Sequence, residues 1–378
     1  MRLFPLALLT MTIAASPLYP SLAAGNNSAP ARLAIYYGYP SLVNGSGGDV
    51  QRAANVFAEY DAVVLGDGLE FTDKQPGRYP EGDPAEHQKT RQIIGAIRKQ
   101  NPATRIYGYV CLGEIPWPRG QQTAFSAKEL LERIQFWKQM GVSGIFVDEA
   151  GYDYPVVTRE RQNLAVRMIH EAGLSAFMNA YFIEQLFSLE NNPRNANGSD
   201  KNPKRVAPLL DQRDLFLLES FQIKNGTYED AAAAEERLSK ALKYRRQYGT
   251  RIFATTTTTE TQQFSVEKFN YAWWTARLYG LDGFSWGEPY FAAANNSLPN
   301  RRCTEDSARV ISFEPSSTVN SEANLMWRQS GSLVVVVNAS DHSVRRISST
   351  SSASAQSAKA LLSSTSTQFP LTCNGANE

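Results

Sequence analysis

The chain has 378 residues, of which 42% are hydrophobic and 11% aromatic, so it is long enough for one large core or two moderate domains. Its 38 lysine and arginine residues against 37 acidic residues give a formal charge of +1. A balance this even produces no overall field that would attract nucleic acid or an anionic membrane, and neither is expected as a partner. Charge can therefore attract a ligand only where residues of one sign cluster locally.

The first 23 residues have the features of a secretory signal peptide. Arg2 precedes an apolar stretch, and Ser21-Leu22-Ala23 offers a small-x-small cleavage site. Pro17 and Pro20 interrupt the apolar run well short of the roughly 18 residues that a membrane anchor needs, and no later stretch is long enough to span. We expect a secreted or periplasmic protein with no transmembrane segment in its mature chain.

Short β-favouring runs alternate with amphipathic runs along most of the chain. Eight runs are predicted as strands: LAIYY (33–37), AVVLG (62–66), RIYGYV (105–110), GIFVD (144–148), SAFMN (175–179), LFLLE (215–219), RIFATT (251–256) and GFSW (283–286). Six runs are predicted as helices: 49–60, 84–100, 126–140, 158–172, 228–248 and 265–279. Ser126 and Glu129 form a plausible capping box, and a glycine follows four of the helices, at 141, 173, 249 and 280.

Eight strands that alternate with helices over about 260 residues predict an α/β fold, a (β/α)₈ TIM barrel, over residues 31–300. The alternative is a doubly wound open sheet. A dinucleotide-binding sheet of that kind should carry GxGxxG after its first strand, whereas this chain has NGSGGD at 44–49 with no basic residue close behind. That loop is interpreted as an ordinary flexible loop.

Three segments depart from the repeat. After a short apolar helix at 183–189, residues 190–205 form a link too long for a plain αβ connection. It could be a loop over the barrel mouth, but its lack of apolar anchors favours a disordered insertion.

Residues 301–378 are predicted to form a β-rich appendage with a weakly ordered Ser/Thr/Ala-rich tail. Cys303 and Cys373 flank this segment and are expected to pair in an oxidising compartment, with Cys111 as a buried thiol.

The carboxyl ends of the eight predicted strands carry many acids and aromatic rings, and in a barrel these ends meet at one mouth. The acids are Asp67, Glu70, Asp73, Glu114, Asp148, Glu149, Asp153, Glu219, Glu260 and Glu288. The aromatic residues are Tyr36, Tyr37, Tyr39, Tyr109, Trp117, Tyr152, Tyr181, Trp286 and Tyr290. The same segments contain no lysine, arginine or histidine, which argues against phosphate substrates, zinc hydrolysis and a serine triad.

An acidic, aromatic mouth suits a sugar, because aromatic faces stack on pyranose rings and two carboxyl groups suffice for glycoside hydrolysis. No cofactor is required. The surplus of acids suggests a substrate with positive charge, such as a polysaccharide with free amino groups, and like charges should raise some carboxyl pKa values. The residues expected to bind substrate are Tyr36, Tyr37, Asp67, Tyr109, Glu114, Asn179, Tyr181, Trp286 and Glu288.

The acids differ in how strongly their positions in the sequence indicate a functional role. Strand alternation places Asp148 and Glu149 on opposite sides, so only one of them should face the barrel axis. Glu219 closes an apolar strand, where an idle charge would be costly. Asp67 lies between two glycines and could equally be a turn residue, while Glu114, Asp153 and Glu288 fall where solvated loop acids are common. The five threonines at 255–259 are interpreted as β-branched strand with no further role.

Several of these segments together resemble the spherulin-4-like glycosidases and the related endo-α-1,4-polygalactosaminidase families. The resemblance rests on the early Tyr-Tyr-Gly, the Gly-Tyr-Val strand leading to Gly-Glu, GIFVDE, FMN and the strand ending in Glu-Ser, between about residues 32 and 290. It implies a (β/α)₈ barrel acting on partly deacetylated, galactosamine-containing exopolysaccharide, cut internally.

By position, the resemblance implies that Asp148 is the nucleophile or electrostatic stabiliser and Glu219 the general acid/base. Glu149 and Asp67 are the reserves. The loop at 190–205 and the C-terminal segment lie outside the resemblance. Two alternatives remain: a non-catalytic carbohydrate-binding barrel, and an enzyme whose mouth acids hold Mg²⁺ or Ca²⁺.

Overall fold

A computed structural model describes residues 29–66, 68–71, 83–113, 124–198, 200–262, 264–303, 311, 313, 319–322, 324–348 and 368–370. The predicted signal peptide, Asp67, Asp73, Glu114, Trp117 and Cys373 lie outside these residues.

The barrel segment alternates strands and helices. Its strands are β1 (Ala31–Tyr36), β2 (Ala62–Leu65), β3 (Arg105–Cys111), β4 (Gly144–Asp148), β5 (Ser175–Asn179), β6 (Leu215–Leu218), β7 (Ile223–Lys224), β8 (Thr227–Tyr228), β9 (Arg251–Thr255) and β10 (Gly283–Ser285). Its α-helices are α1 (Val50–Phe57), α2 (Pro84–Gln100), α3 (Ala127–Met140), α4 (Arg159–Glu171), α5 (Glu184–Phe187), α6 (Ala231–Tyr248) and α7 (Val266–Leu278). Short 3₁₀ helices cover Pro40–Gly45, Pro193–Gly198 and Pro289–Ala292.

Eight parallel strands close into a barrel in the order β1-β10-β9-β6-β5-β4-β3-β2. The two-stranded β7–β8 hairpin stands apart from the barrel, between β6 and α6. The (β/α)₈ prediction is confirmed, and each of the eight predicted strands is one of the barrel strands.

Aromatic side chains fill the barrel interior. The ring of Phe177 on β5 makes edge contacts with Tyr107 at 5.3 Å, Phe146 at 5.1 Å and Phe253 at 5.6 Å, measured between ring centroids. Because side chains alternate along a strand, a residue two positions after an interior ring also points inward. This alternation directs Tyr109, Asp148 and Asn179 into the barrel at its carboxyl end.

Most helices begin and end where their sequences indicate, but α1 ends at Phe57 rather than at residue 60, and α6 begins at Ala231 rather than at residue 228. Ser126 and Glu129 make the predicted capping box at the start of α3. Gly141 and Gly249 end α3 and α6 in the left-handed conformation that a side chain would disfavour. Within the described residues, no helix is long and apolar enough to cross a membrane.

A C-terminal antiparallel sheet follows the barrel. Its strands are β11 (Asn320–Glu322), β12 (Leu325–Ser330), β13 (Leu333–Asn338), β14 (Val344–Ser348) and β15 (Gln368–Pro370). Val335, Val337 and Val344 belong to the same buried apolar cluster as the barrel, so the sheet extends the barrel core. Cys303 is disulfide-bonded, and Cys111 is a free buried thiol.

The link at 190–205 is not a disordered insertion in its described part, which contradicts that expectation. Lys201 is only 1% exposed, and its ammonium donates to the main-chain oxygens of Tyr154, Pro155 and Val157. Asn202 bonds the main chain of Val206 in both directions. Polar anchors thus replace the apolar ones whose absence suggested disorder.

Candidate functional site

Asp148 and Glu219 share one side-chain amide at the carboxyl end of the barrel. Asn179 Nδ2 donates to Asp148 Oδ1 at 2.8 Å and to Glu219 Oε2 at 2.9 Å. Asp148 ends β4, Asn179 ends β5 and Glu219 directly follows β6. Both acids are partly buried and both remain partly accessible, as groups that meet a ligand must be.

Asp148 is surrounded by hydrogen-bond donors. Besides the Asn179 amide, the main-chain N–H of Glu149 donates to Oδ1 at 2.9 Å, and the hydroxyls of Tyr37 and Tyr109 also bond the carboxylate. The two tyrosine rings meet edge to face with centroids 5.3 Å apart, which fixes both hydroxyls. These donors stabilise the ionised form of Asp148.

Burial acts against ionisation at both acids. It raises the pKa of Asp148 above the ordinary range, although the surrounding donors pull it down. It also raises the pKa of Glu219, where the nearby Asp148 charge adds to the rise and Arg237 opposes it. Asn179 is the single side-chain donor among the causes that lower the pKa of Glu219, whereas Asp148 has three side-chain donors among its causes.

Arg237 on α6 supports the end of β6. Its guanidinium donates to the main-chain oxygen of Glu219 and forms an ion pair with Glu229 at 2.7 Å, with both partners largely buried. It also lies over the ring of Tyr181, 4.6 Å from the centroid. Lys224 donates to the Tyr181 hydroxyl at 2.8 Å. Tyr181 thus contacts two cations, one of which also bonds the main chain of Glu219.

The strand-end segments contain no basic residue, but basic side chains reach the mouth from other parts of the chain. Arg237 and Lys224 lie beside Glu219 and Tyr181, although neither belongs to the segment that directly follows a barrel strand. Arg237 comes from the middle of α6 and Lys224 from the β7–β8 hairpin. No sequence pattern indicated either residue, because neither periodicity nor strand ends show how a helix or hairpin packs back over the mouth.

The Glu149 carboxylate bonds other residues than Asp148 does, and Glu149 lies just beyond the end of β4, where strand alternation no longer sets its direction. Its backbone is left-handed, with φ 53°, and its carboxylate accepts a hydrogen bond from Cys111 Sγ at 3.2 Å and bonds Tyr154. Burial and the Glu149 charge raise the pKa of the Cys111 thiol. Cys111 is thereby a neutral donor to Glu149.

Two residues expected to bind substrate lie on the wrong face of their strands. Tyr36 is fully buried outside the barrel, with its hydroxyl on Tyr39 O and Asn296 Oδ1 and its ring against Phe57. Trp286 is 6% exposed and packs against Phe269 of α7. Each falls one residue away from an inward position, so strand alternation excludes both from the mouth.

Glu288 is not a free mouth carboxylate, because it pairs with Arg301 at 3.0 Å. Burial raises the pKa of Glu288, and Arg301 opposes that rise. The threonine run also differs from its interpretation: β9 ends at Thr255, and Thr257, Thr258 and Thr259 line a cleft at the mouth. Asp67 and Glu114 lie outside the described residues.

Among the described residues, one group of side chains has the spacing of a metal site: His170, Asp211 and Asp214. His170 bonds Asp214 at 2.9 Å, and Asp214 precedes β6, at the barrel end opposite Glu219. The Asp214 carboxylate also accepts hydrogen bonds from the main-chain N–H groups of Ala176 and Asp211. These bonds give it a structural role without a metal ion. The acids of the mouth do not belong to this group.

No protein-family model and no curated protein matches the chain. Similar solved structures include an alpha-amylase from Geobacillus thermoleovorans complexed with acarbose, at 10% identity and a TM-score of 0.44, over 83% of this chain and 86% of that one. An endo-beta-1,4-glucanase from Xanthomonas axonopodis pv. citri, a triple mutant, matches at 12% identity and 0.42, over 68% and 88%. CpGH84B matches at 10% and 0.40, over 69% of this chain and 45% of that one. Likenesses this distant carry no argument about reaction or substrate.

Proposed function

We propose that the protein is a glycoside hydrolase that cleaves a polysaccharide by using Asp148 and Glu219. The observation that carries the proposal is the single Asn179 amide that bonds both carboxyl groups, because it holds two acids from different strands in one accessible site. Two carboxyl groups facing one sugar are the machinery that glycoside hydrolysis requires.

The surroundings of the two acids support different roles for them. Asp148 accepts several hydrogen bonds, which suits a carboxylate that must be ionised to attack or stabilise an anomeric carbon. Glu219 has fewer donors and a pKa raised by burial and by Asp148, which suits a proton donor to the leaving oxygen. These are the roles that the family resemblance implies.

The separation of the acids supports retention of anomeric configuration. Since each bonds the same nitrogen within 2.9 Å, their nearest oxygens are less than about 6 Å apart. Inverting enzymes need a wider gap for a water molecule. We therefore propose a double displacement, with a glycosyl ester on Asp148 that water hydrolyses while Glu219 acts as base.

For the substrate we propose an exported, galactosamine-containing polysaccharide that is partly deacetylated and cut internally. The support is the short motifs shared with the spherulin-4-like and polygalactosaminidase families, together with the predicted signal peptide. Asp148 and Glu219 also form a local acidic centre that could attract an amino group. The positive charges of Arg237 and Lys224 reduce the negative potential of this centre on one side.

The test is hydrolysis of partly deacetylated α-1,4-galactosamine polymer, followed as new reducing ends. We expect Asp148→Asn and Glu219→Gln to lower kcat by at least about 10²-fold, because each removes a group that acts in the transition state. Proton NMR of the first product should show the anomer of the substrate. Binding without cleavage by the unmodified protein would instead support a carbohydrate-binding barrel, and loss of activity with a chelator would support a metal-dependent enzyme.

A further inference from the structure

A cleft of about 630 Å³ opens beside the proposed catalytic pair. Its walls are the threonine segment after β9 and the turn after β10, and Tyr37 forms part of its inner end. The Tyr37 hydroxyl also bonds Asp148, so this residue links the cleft to the acid that would meet the scissile sugar. A polymer that reaches Asp148 would therefore extend into this cleft.

Tyr290 stands in the cleft as an exposed aromatic platform. Its side chain is 64% exposed, the largest exposure among the bulky hydrophobic residues described. Tyr290, Phe291 and Ala292 all have left-handed backbones, with φ of 49°, 49° and 68°. Three such residues in a row without glycine are strained, and strain of this kind persists only where the surroundings impose it.

The turn that carries Tyr290 is anchored on both sides. Tyr37 N donates to Phe291 O at 2.8 Å, which joins the turn to β1, and the Phe291 ring packs against the Tyr37 ring at 5.2 Å. Ala292 is 1% exposed. Asn296 N donates to Ala292 O at 2.9 Å. The Tyr290 ring is therefore presented outward from a fixed backbone, and a rigid ring loses little entropy when a ligand stacks on it.

The described residues that line the cleft carry no net charge once the pairing of Glu288 with Arg301 is included. The polar lining of the cleft consists of Asn225 and the three threonines. Each threonine hydroxyl already bonds a protein group, and Thr258 donates to Gly287 O, so its oxygen is left to accept from a ligand hydroxyl. The single ionisable acid among the described lining residues, Glu288, is paired with Arg301, whose guanidinium also lies over the Phe264 ring, 3.9 Å from the centroid. This neutral lining contrasts with the acidic pair beyond Tyr37.

We propose that this cleft is a subsite for one uncharged pyranose, neutral or N-acetylated, which stacks on Tyr290 and bonds Asn225 and the threonine hydroxyls. The inference rests on the proposed function and makes it more specific: a cationic sugar is not recognised here, because the one carboxylate among the described lining residues, Glu288, is paired with Arg301. A partly deacetylated polymer would then bind in a register set by its acetylated units.

The experiment measures binding without cleavage, by calorimetry in the Glu219→Gln background. The probes are α-1,4-galactosamine oligosaccharides of one length, either fully N-acetylated or fully deacetylated, at low salt and at about 0.5 M salt. We expect Tyr290→Ala to weaken binding of the acetylated probe roughly tenfold at both salt concentrations, as loss of one stacking contact predicts. The Tyr290→Phe variant should bind the acetylated probe as tightly as the protein that keeps Tyr290.

Two controls separate stacking from folding. Tyr290→Gly removes the same ring but relieves the left-handed backbone, so it should lose affinity without losing thermal stability. Leu131→Ala, at an exposed position on α3, should bind normally. Unchanged affinity in Tyr290→Ala and Tyr290→Gly, or a loss confined to the deacetylated probe at low salt, overturns the subsite.

Failure of the subsite can be distinguished from failure of the hydrolase proposal. If the unmodified protein cleaves the polymer but the Tyr290 variants bind normally, the subsite is wrong and the hydrolase stands. If the Tyr290 variants lose binding but the unmodified protein never cleaves, the subsite stands and the hydrolase is wrong.

Discussion

Asp148 and Glu219 have the same functional group but different neighbours. Several donors converge on Asp148, whereas Glu219 accepts from Asn179 and lies near the charge of Asp148. Burial raises both pKa values, so the folded protein carries two carboxyl groups that would each ionise more easily in the unfolded chain. A site of this kind costs stability at neutral pH in return for a proton held where it can be transferred.

We predict that Glu219→Gln raises Tm at pH 7 by about 2 °C. The pKa of Glu219 is raised in the folded state, so the unfolded chain loses this proton at lower pH than the folded protein does. Below the ordinary glutamate pKa both states are protonated and the acid costs nothing. As the pH rises above it, stability falls relative to the glutamine variant, whose side chain does not titrate.

Thermal unfolding of both proteins between pH 3.5 and 8 would check this prediction. The difference in Tm should be close to zero at the acid end and grow with pH. Glu132→Gln, at an exposed position that pairs with Lys128, should show little change at any pH. A constant difference across the range would mean that Glu219 does not have a raised pKa.

Strand alternation explains which site residues the sequence could identify. Asp148, Asn179 and Glu219 follow inward-facing residues by two positions, and all three reach the mouth. Tyr36 and Trp286 were predicted there from their nearness to a strand end alone, and the same alternation places them outside. The type of residue at a strand end therefore predicts a place in the site only if strand alternation also directs that residue into the barrel.

At the scale of the elements, close contacts between strands and helices depend on a few small residues. Gly108 on β3 faces the indole of Trp137 on α3, and a Cβ at Gly108 would lie 2.1 Å from Trp137 Cδ2. Trp137 Nε1 donates to Tyr109 O at 2.8 Å, so the ring cannot move away without losing a buried hydrogen bond. This contact fixes α3 against the strand that carries Tyr109.

We predict that Gly108→Ala destabilises the protein by about 1–3 kcal/mol, because the added methyl overpacks a full core. The matched change is Gly95→Ala, in the middle of α2, where an added Cβ meets nothing within 4 Å. It should stabilise by about 0.5–1 kcal/mol, since alanine favours the helix. Urea unfolding gives both values, and a Gly108→Ala protein as stable as the parent would show that α3 can shift.

Helix and strand bounds were accessible from the sequence because each element carries its own signals. The helix predicted at 84–100 has those bounds in α2, and the capping box of α3 forms as expected. The β7–β8 hairpin and the strained turn at 290–292 were not accessible. Two-residue strands show no periodicity, and the turn is held by distant backbone such as Tyr37 N rather than by its own residues.

At the scale of the whole molecule, the C-terminal sheet is packed onto the barrel. Arg328 on β12 donates to Leu278 O at the end of α7 at 3.1 Å, and Arg277 donates to Ile311 O. The His342 ring contacts Tyr228 of the β7–β8 hairpin, whose other strand carries Lys224 at the mouth. The sequence indicated a β-rich segment after residue 301 but not this packing, since β13 is apolar at every interior position.

We predict that the barrel and the sheet unfold together. Val337 is fully buried in the cluster shared with the barrel, so Val337→Asp places an unpaired charge in that core and should lower the main Tm by about 10 °C. Ser332→Asp, at an exposed position in the turn between β12 and β13, should change Tm little. Differential scanning calorimetry decides the matter. If the sheet were an independent unit, Val337→Asp would shift or remove a separate minor transition and leave the main one unchanged. A single transition that moves as a whole would mean that the barrel depends on the sheet for part of its core.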